Sequence, residues 1–263
     1  MATVTVLSFD PARVNCAIIT GRSRTLIVDA GPGPRSARTL AARAAELSVA
    51  ATGRRTPVDV VTTHDHWDHF FGNRTLRDEG AETVWASPAF AADQEATAWI
   101  ALDALRRDPE HAGFAADLPA NPSDLVVEVT PVPDGGLDLG GSRAEFHVLG
   151  GHSTSDVVVR LPDEGIVLTG DLVEEGDPPQ AGGDAALAEW ARSLDALLSF
   201  PEARVFVPGH GVPVDRGFVE RQRDDLDGFR RMGADAEVAL PARSMPGEHD
   251  RSVPRESALT RES

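Results

Sequence analysis

At 263 residues with 41% apolar side chains, the chain is long enough for one large domain with a full core. Forty-two acidic residues against 25 basic ones leave a formal net charge of −17, which disfavours a phosphate-backbone partner, because such backbones are bound through cationic side chains. All the basic residues are arginine, so lysine nucleophiles and Schiff bases are excluded; tyrosine is absent, and the lone Cys16 has no partner for an internal disulfide.

The N-terminus carries no basic leader, and no apolar stretch approaches membrane-spanning length. The expectation is therefore a cytoplasmic protein whose partner is a small-molecule substrate, with no nucleic acid and no membrane. Residues 3–9 and 14–20 read as strands, Cys16 being a buried strand thiol. A third strand, 25–28, closes at Asp29-Ala30-Gly31-Pro32-Gly33. Residues 36–50, rich in Ala, Leu and Arg, read as an amphipathic helix. The apolar run 58–63 reads as a buried strand that ends directly on His64-Asp65-His66-Trp67-Asp68-His69.

Strand 83–86 precedes Ser87-Pro88, an N-cap followed by proline at the first helical position, so a helix is expected to about residue 107. Residues 108–124 are Pro- and Asp-rich and read as a loop near the site. Residues 125–130, 143–149, 155–161 and 166–169 are strand-like, the last two joined by the turn Pro162-Asp163-Glu164-Gly165. A loop at 174–183, a helix at 184–199, a strand at 204–207 and a helix at 215–231 follow. The domain is expected over 1–240, with residues 241–263, which lack apolar periodicity, as a disordered tail. His147 reads as an ordinary strand histidine, and His111 and His249 as bystanders in polar stretches.

Three histidines and two carboxylates within six residues are either a polar turn or a metal loop, and the strand before them favours the metal loop. His64 and His66, two apart in an extended segment, face the same way and can grip one ion; Asp68 and His69, in the next helical turn, can grip a second. His152, in Gly150-Gly151-His152-Ser153, Asp171, in Thr169-Gly170-Asp171, and His210, in Pro208-Gly209-His210-Gly211, each lie just past a strand end and beside glycine. Rigid strands aim such side chains, and glycine lets backbone approach closely.

In that order these residues resemble the metallo-β-lactamase fold superfamily, whose HxHxDH motif is followed by a later His, Asp and His. The resemblance covers roughly residues 13–225. It implies an α/β fold, a four-layer αββα sandwich of two mixed β-sheets flanked by helices; the pattern of elements alone gives only a mixed α/β class. It also implies that His64, His66 and His152 hold a first metal, that Asp68, His69 and His210 hold a second, and that Asp171 bridges them. Two Zn2+ ions per chain are expected, with iron or manganese as alternatives. Such a centre lowers the pKa of water from ~15.7 toward ~7, and Asp68 is the expected catalytic residue, orienting the hydroxide. Asp29 resembles the superfamily's supporting acid, although a plain turn aspartate reads equally well. Asp65, Ser153 and Asp156 are further candidates to hold the imidazoles. Trp67 is expected to pack its helix rather than touch substrate.

Departures from relatives narrow the chemistry. Asp171 stands where thiolate-ligand β-lactamases have cysteine, and the lysine that anchors the drug's carboxylate in several of them is missing, as are the tyrosine of homoserine-lactone hydrolases and the basic clamp of glyoxalase-type thioesterases. The expectation is a metal-dependent hydrolase of a small-molecule ester, thioester, lactone or amide. The rivals are a sulfur dioxygenase-like enzyme with one iron on His64, His152 and Asp171, and a non-catalytic metal-binding member.

Overall fold

A computed structural model describes residues 1–232, 242–243 and 256–259 of the chain. Runs rich in Val, Ile and Thr set β1 (Thr3–Phe9), β2 (Val14–Thr20) and β3 (Thr25–Val28), at the expected bounds. Helix α1 (Pro34–Thr52) opens on proline and closes at Gly53, whose φ of 78° is the left-handed cap that glycine adopts without strain. Strand β4 (Val58–Val61) stops two residues early, and Thr63 gives its amide to the Asp29 carboxylate instead of to a ladder. Two short helices, α2 (Trp67–Phe70) and α3 (Asn73–Asp78), lead to β5 (Thr83–Ala86). Helix α4 (Pro88–Arg107) has the expected cap, Ser87 Oγ accepting the Phe90 amide at 3.1 Å.

The expected loop 108–124 contains a short helix, α5 (Ala112–Ala115), and a 3-10 turn at Pro122–Asp124. The expected strand 125–130 shrinks to β6 (Thr130–Pro131). Its apolar residues are used otherwise: Val127 and Val129 pack against the cluster that holds Leu40, Leu76 and Val84, and the Gln94 side chain donates to the Val127 carbonyl and accepts its amide, replacing a neighbouring strand. Then come β7 (Leu137–Asp138), β8 (Arg143–Val148), β9 (Val157–Leu161) and β10 (Ile166–Glu174). Helix α6 (Leu187–Leu198), β11 (Val205–His210) and α7 (Arg216–Met232) complete the domain. Asp171 and His210 therefore lie inside strands rather than just beyond them. Within the segment expected to be a disordered tail, Glu256–Leu259 forms β12, antiparallel to β1 with Leu259 opposite Val4. The outer edge of β1 would otherwise offer an open ladder, which explains why this short piece is recruited. Apart from 242–243, the rest of residues 241–263, His249 included, lies outside the described residues.

The strands form a large curled mixed sheet in the order β6-β5-β4-β3-β2-β11-β10-β9-β8-β7, with β1 on β2. Its two halves meet at β2 and β11 through one antiparallel pair, Val14 opposite His210. Asn15 reinforces that seam, donating from Nδ2 to the carbonyls of Pro208 at 2.9 Å and Gly211 at 2.8 Å. Period-2 alternation sorts the core. Ile19, Leu26 and Val28 of one half share a cluster with Val157, Val159 and Leu168 of the other. The alternate residues Ile18, Ile27 and Val60 pack on Leu40 of α1, while Val158, Val167 and Phe206 pack on α6 and α7 through Trp190 and Phe218. Among the described residues no helix is long and apolar enough to cross a membrane.

Candidate metal centre

Parallel β3, β4 and β5 end together, and the chain leaves β4 at Thr63 to enter the histidine loop. Asp29, at the end of β3, takes a left-handed φ of 64°, which aims its carboxylate at that loop. One oxygen accepts the Thr63 amide at 2.7 Å; the other accepts the Thr63 hydroxyl at 2.9 Å and His69 Nδ1–H at 2.8 Å. The hydroxyl, having given its proton to Asp29, is left to accept from His64 Nδ1, 2.9 Å away. One carboxylate thus sets the tautomer of two imidazoles, and Asp29 has the supporting place expected for it.

Two more histidines are fixed in the same way. His210 Nδ1–H donates to the Ala12 carbonyl at 3.1 Å, and His66 Nε2–H donates to Asp184 Oδ2 at 3.1 Å. Each outward nitrogen is a donor, which turns the other ring nitrogen inward to the group. His152 Nε2 lies 3.0 Å from the inward Nδ1 of His66. The outward Nδ1 of His152 is buried without a partner, 3.9 Å from Glu174 Oε1. The inward atoms of His64, His66, His152 and Asp171 lie within 4.8 Å of one another, and so do those of Asp68, His69 and His210. All seven residues singled out from the sequence are brought together.

Asp171 stands between the two groups. Its Oδ1 is 3.2 Å from His69 Nε2, and its Oδ2 is 3.6 Å from His64 Nε2, 3.6 Å from His152 Nε2 and 3.4 Å from His210 Nε2. Asp68 Oδ2 is 3.3 Å from His210 Nε2. Burial drives His64 well below the usual histidine range and takes His152 down to about 4. Burial also opposes protonation of His69 and His210, but Asp171, helped by Asp68, outweighs it and holds both well above that range. Asp171 is held well below the usual carboxylate range, because His69 and His210 outweigh its burial.

These residues fit a metal. His64 Nε2, His69 Nε2 and Asp171 Oδ1 are buried with no hydrogen-bond partner, a costly arrangement unless a cation satisfies them. Neutral imidazoles and carboxylates are the donor set of zinc and its neighbours. Glycine makes the approach possible: a Cβ on Gly209 would stand 1.7 Å from Asp171 Oδ1, and one on Gly170 2.9 Å from Thr63 Cβ.

The other candidate supports divide. Asp156 accepts the amides of His152 and Ser153, and Ser153 Oγ donates to it, so this pair shapes the His152 loop rather than holding an imidazole. Asp65 accepts from Ser155 Oγ and Thr97 Oγ1 and touches no ring. Asp184 and Glu174 were missed; neither sits in a motif, and only the fold brings Glu174, at the end of β10, to His152 and Asp184, in the β10–α6 connection, to His66. Trp67 packs against Phe71, His111 and Phe114, which fits its expected packing role. His111 is held by Asp108 at 2.6 Å, and His147 lies on β8 against Phe200, both apart from the two groups.

Comparison with known proteins agrees. A probable metallo-hydrolase of Bacillus subtilis, YqgX, is 27% identical over 177 residues, covering 66% of this chain and 78% of that protein. The acyl-coenzyme A thioesterase MBLAC2 of Gallus gallus is 24% identical over 213 residues, 80% of this chain and 70% of that one. The solved metallo-beta-lactamase of Pontibacter korlensis superposes with a TM-score of 0.62 at 22% identity, covering 86% of this chain and 95% of its own, a likeness of fold. The model of the metallo-beta-lactamase superfamily matches residues 9–210, the span that holds both ligand groups, and the chain belongs to that superfamily of hydrolase-type, metal-binding proteins.

Proposed function

We propose that the chain is a dinuclear zinc hydrolase acting on a small-molecule ester, thioester, lactone or amide. The observation that carries this reading is the position of Asp171, whose two oxygens face both ligand groups at 3.2 to 3.6 Å. His64, His66 and His152 would hold one ion, Asp68, His69 and His210 the other, and Asp171 both. When bound, two divalent ions supply hydroxide near neutral pH and an electrophilic contact for a carbonyl oxygen. Asp68, buried beside His210, would orient the hydroxide toward the substrate. Asp29 would fix the rings of His64, through Thr63, and His69, and Asp184 that of His66, each with its other nitrogen turned to a metal. The sorting of alternate strand residues between a shared cluster and two helix-backed clusters supports a four-layer αββα arrangement.

Without lysine or tyrosine, the chain cannot clamp a substrate carboxylate with an ammonium or an oxyanion with a phenol. The test is metal content of protein purified without added metal, followed by zinc reconstitution and turnover of generic esters, thioesters and lactones. Two ions per chain with zinc-dependent hydrolysis is the expected result. One iron per chain, unchanged by zinc, with thiol-dependent oxygen uptake, would overturn it.

A further inference from the structure

The connection between β10 and α6, residues 175–186, is tied down at almost every turn by the centre it borders. The Glu175 amide donates to the His210 carbonyl at 3.0 Å, and the Gln180 amide to Glu174 Oε1 at 2.8 Å. Asp184 holds His66, and the Ala186 amide donates to the Gly151 carbonyl, next to His152, at 2.8 Å. One anchor comes from elsewhere. The Gly176 amide donates to the carbonyl of Arg243 at 2.7 Å.

Arg243 is itself fixed. Its guanidinium makes a two-pronged pair with Asp225 of α7, Nε to Oδ2 and a terminal nitrogen to Oδ1 at 2.7 Å. Bidentate arginine–carboxylate pairs fix geometry as well as contributing energy. Asp225 is mostly buried and Arg243 about one-third exposed, so the pair is partly shielded from solvent. Both residues lie outside the span 9–210 that matches the superfamily.

We propose that Arg243 is a positioning residue for the metal centre, a strap that runs from α7 through its own carbonyl to Gly176 and holds the 175–186 connection against His66. The inference rests on the reading of His66 as a ligand. Its logic is mechanical. Asp184 reaches His66 from a connection with five consecutive small or turn-forming residues, Ala181-Gly182-Gly183-Asp184-Ala185, which has little stiffness of its own. Fixing the start of that connection limits the range that Asp184 samples. Removing the Arg243 side chain leaves its carbonyl in place chemically but no longer aimed.

The test compares Arg243→Ala, Asp225→Ala and the double variant, with Arg231→Ala, which sits on α7 beside Asp227 away from the connection, as control. Amide hydrogen exchange of residues 176–186 in the metal-free protein reads the strap itself. Cobalt titration followed by its visible absorption reads the consequence. Each single variant should speed exchange in that segment and weaken cobalt binding at the His64/His66/His152 group about three- to tenfold. The double variant should be no worse than either single, since both break one link. The charge-reversed pair Asp225→Arg with Arg243→Asp should recover part of the loss. Unchanged exchange, or faster exchange with wild-type cobalt affinity, overturns the proposal. Equal weakening of both groups, accompanied by a lower Tm, also overturns it, as that is general destabilisation. If the wild-type chain binds no cobalt, the ligand reading fails, and unchanged exchange alone still refutes the strap.

Discussion

Gly209→Ala isolates the geometry of Asp171 without touching a ligand. Gly209 is not among the residues with positive φ, so alanine adds only a methyl group and no backbone strain. That methyl would stand 1.7 Å from Asp171 Oδ1 and 2.9 Å from its Cγ, with the Gly170 carbonyl carbon at 3.0 Å on the same side. Ordinary contact is about 3.5 Å, so the carboxylate must retreat by roughly 1.5–2 Å or β10 and β11 must separate. The strands are held by a parallel ladder from Ile166 opposite Val205 to Leu168 opposite Val207, so the side chain gives first. Overpacking of this kind costs about 1–3 kcal/mol of stability, while misplacing a catalytic group by ~1 Å costs on the order of 100-fold in rate. The expected outcome is a folded protein with Tm lowered by several degrees, metal affinity reduced at least tenfold, and hydrolysis reduced about 100-fold or more. Gly113→Ala is the control, because its added methyl meets nothing within 4 Å. Equilibrium dialysis against zinc with calorimetry would measure both quantities. Wild-type stoichiometry and affinity in Gly209→Ala would show that Asp171 does not face the metals.

Other outcomes follow from the same geometry. Asp171→Asn keeps the shape but loses the charge that faces both groups; it should fold, bind one zinc much more weakly and lose turnover by orders of magnitude, while His147→Asn retains both, as zinc titration with activity would show. Filling the Asp68/His69/His210 group should expel more protons near pH 7 than filling the other, because His69 and His210 are both held well above the usual histidine range, whereas in the other group only His66 is raised, Asp184 outweighing its burial, and burial lowers His64 and His152. Affinity at that group should therefore fall more steeply below pH 7 than at the other, and equal pH slopes in cobalt titrations would refute the assignment. Cys16 is fully buried, and burial pushes its thiol well above the usual range, so thiol reagents should label it only as fast as the domain unfolds. Truncation after Leu240 removes β12 and Arg243, and should lower Tm and loosen the 175–186 connection, whereas an unchanged protein would show that the tail is dispensable.

The parts of the fold legible in sequence were those with a local cause. β-branched runs and Ser87-Pro88 mark elements whose ends depend on neighbours in the chain, and β1, β2, β3, β5 and α4 appear at their expected bounds. The stretch 125–130 misled because apolar alternation also suits a segment whose partner is the Gln94 side chain, 33 positions away. β12 is invisible for a similar reason: its stability comes from the open edge of β1 rather than from its own pattern. The seven candidate ligand residues were legible because the histidine loop packs its donors within six positions and the other three stand beside glycine after strand-like runs. Asp184, Glu174 and Arg243 were not, since an aspartate near glycines or an arginine in a polar tail looks like solvated chain until the fold supplies its partner.

The seam between β2 and β11 has a consequence for assembly. Its ladder is one residue pair plus the two bonds of Asn15, and it lies beside the ligand groups. His64, His66, Asp68 and His69 come from the half of the chain before the seam is closed, and His152, Asp171 and His210 from the half after it. A bound cation would therefore cross-link the two halves at a place where the β-ladder between them is a single pair. At a free metal concentration 100 times its Kd, one site adds about 2.7 kcal/mol to that union. Two separately expressed fragments, divided between Pro131 and Leu137, should accordingly reassemble in proportion to zinc, with the ion serving as a rivet between half-molecules as well as a reagent.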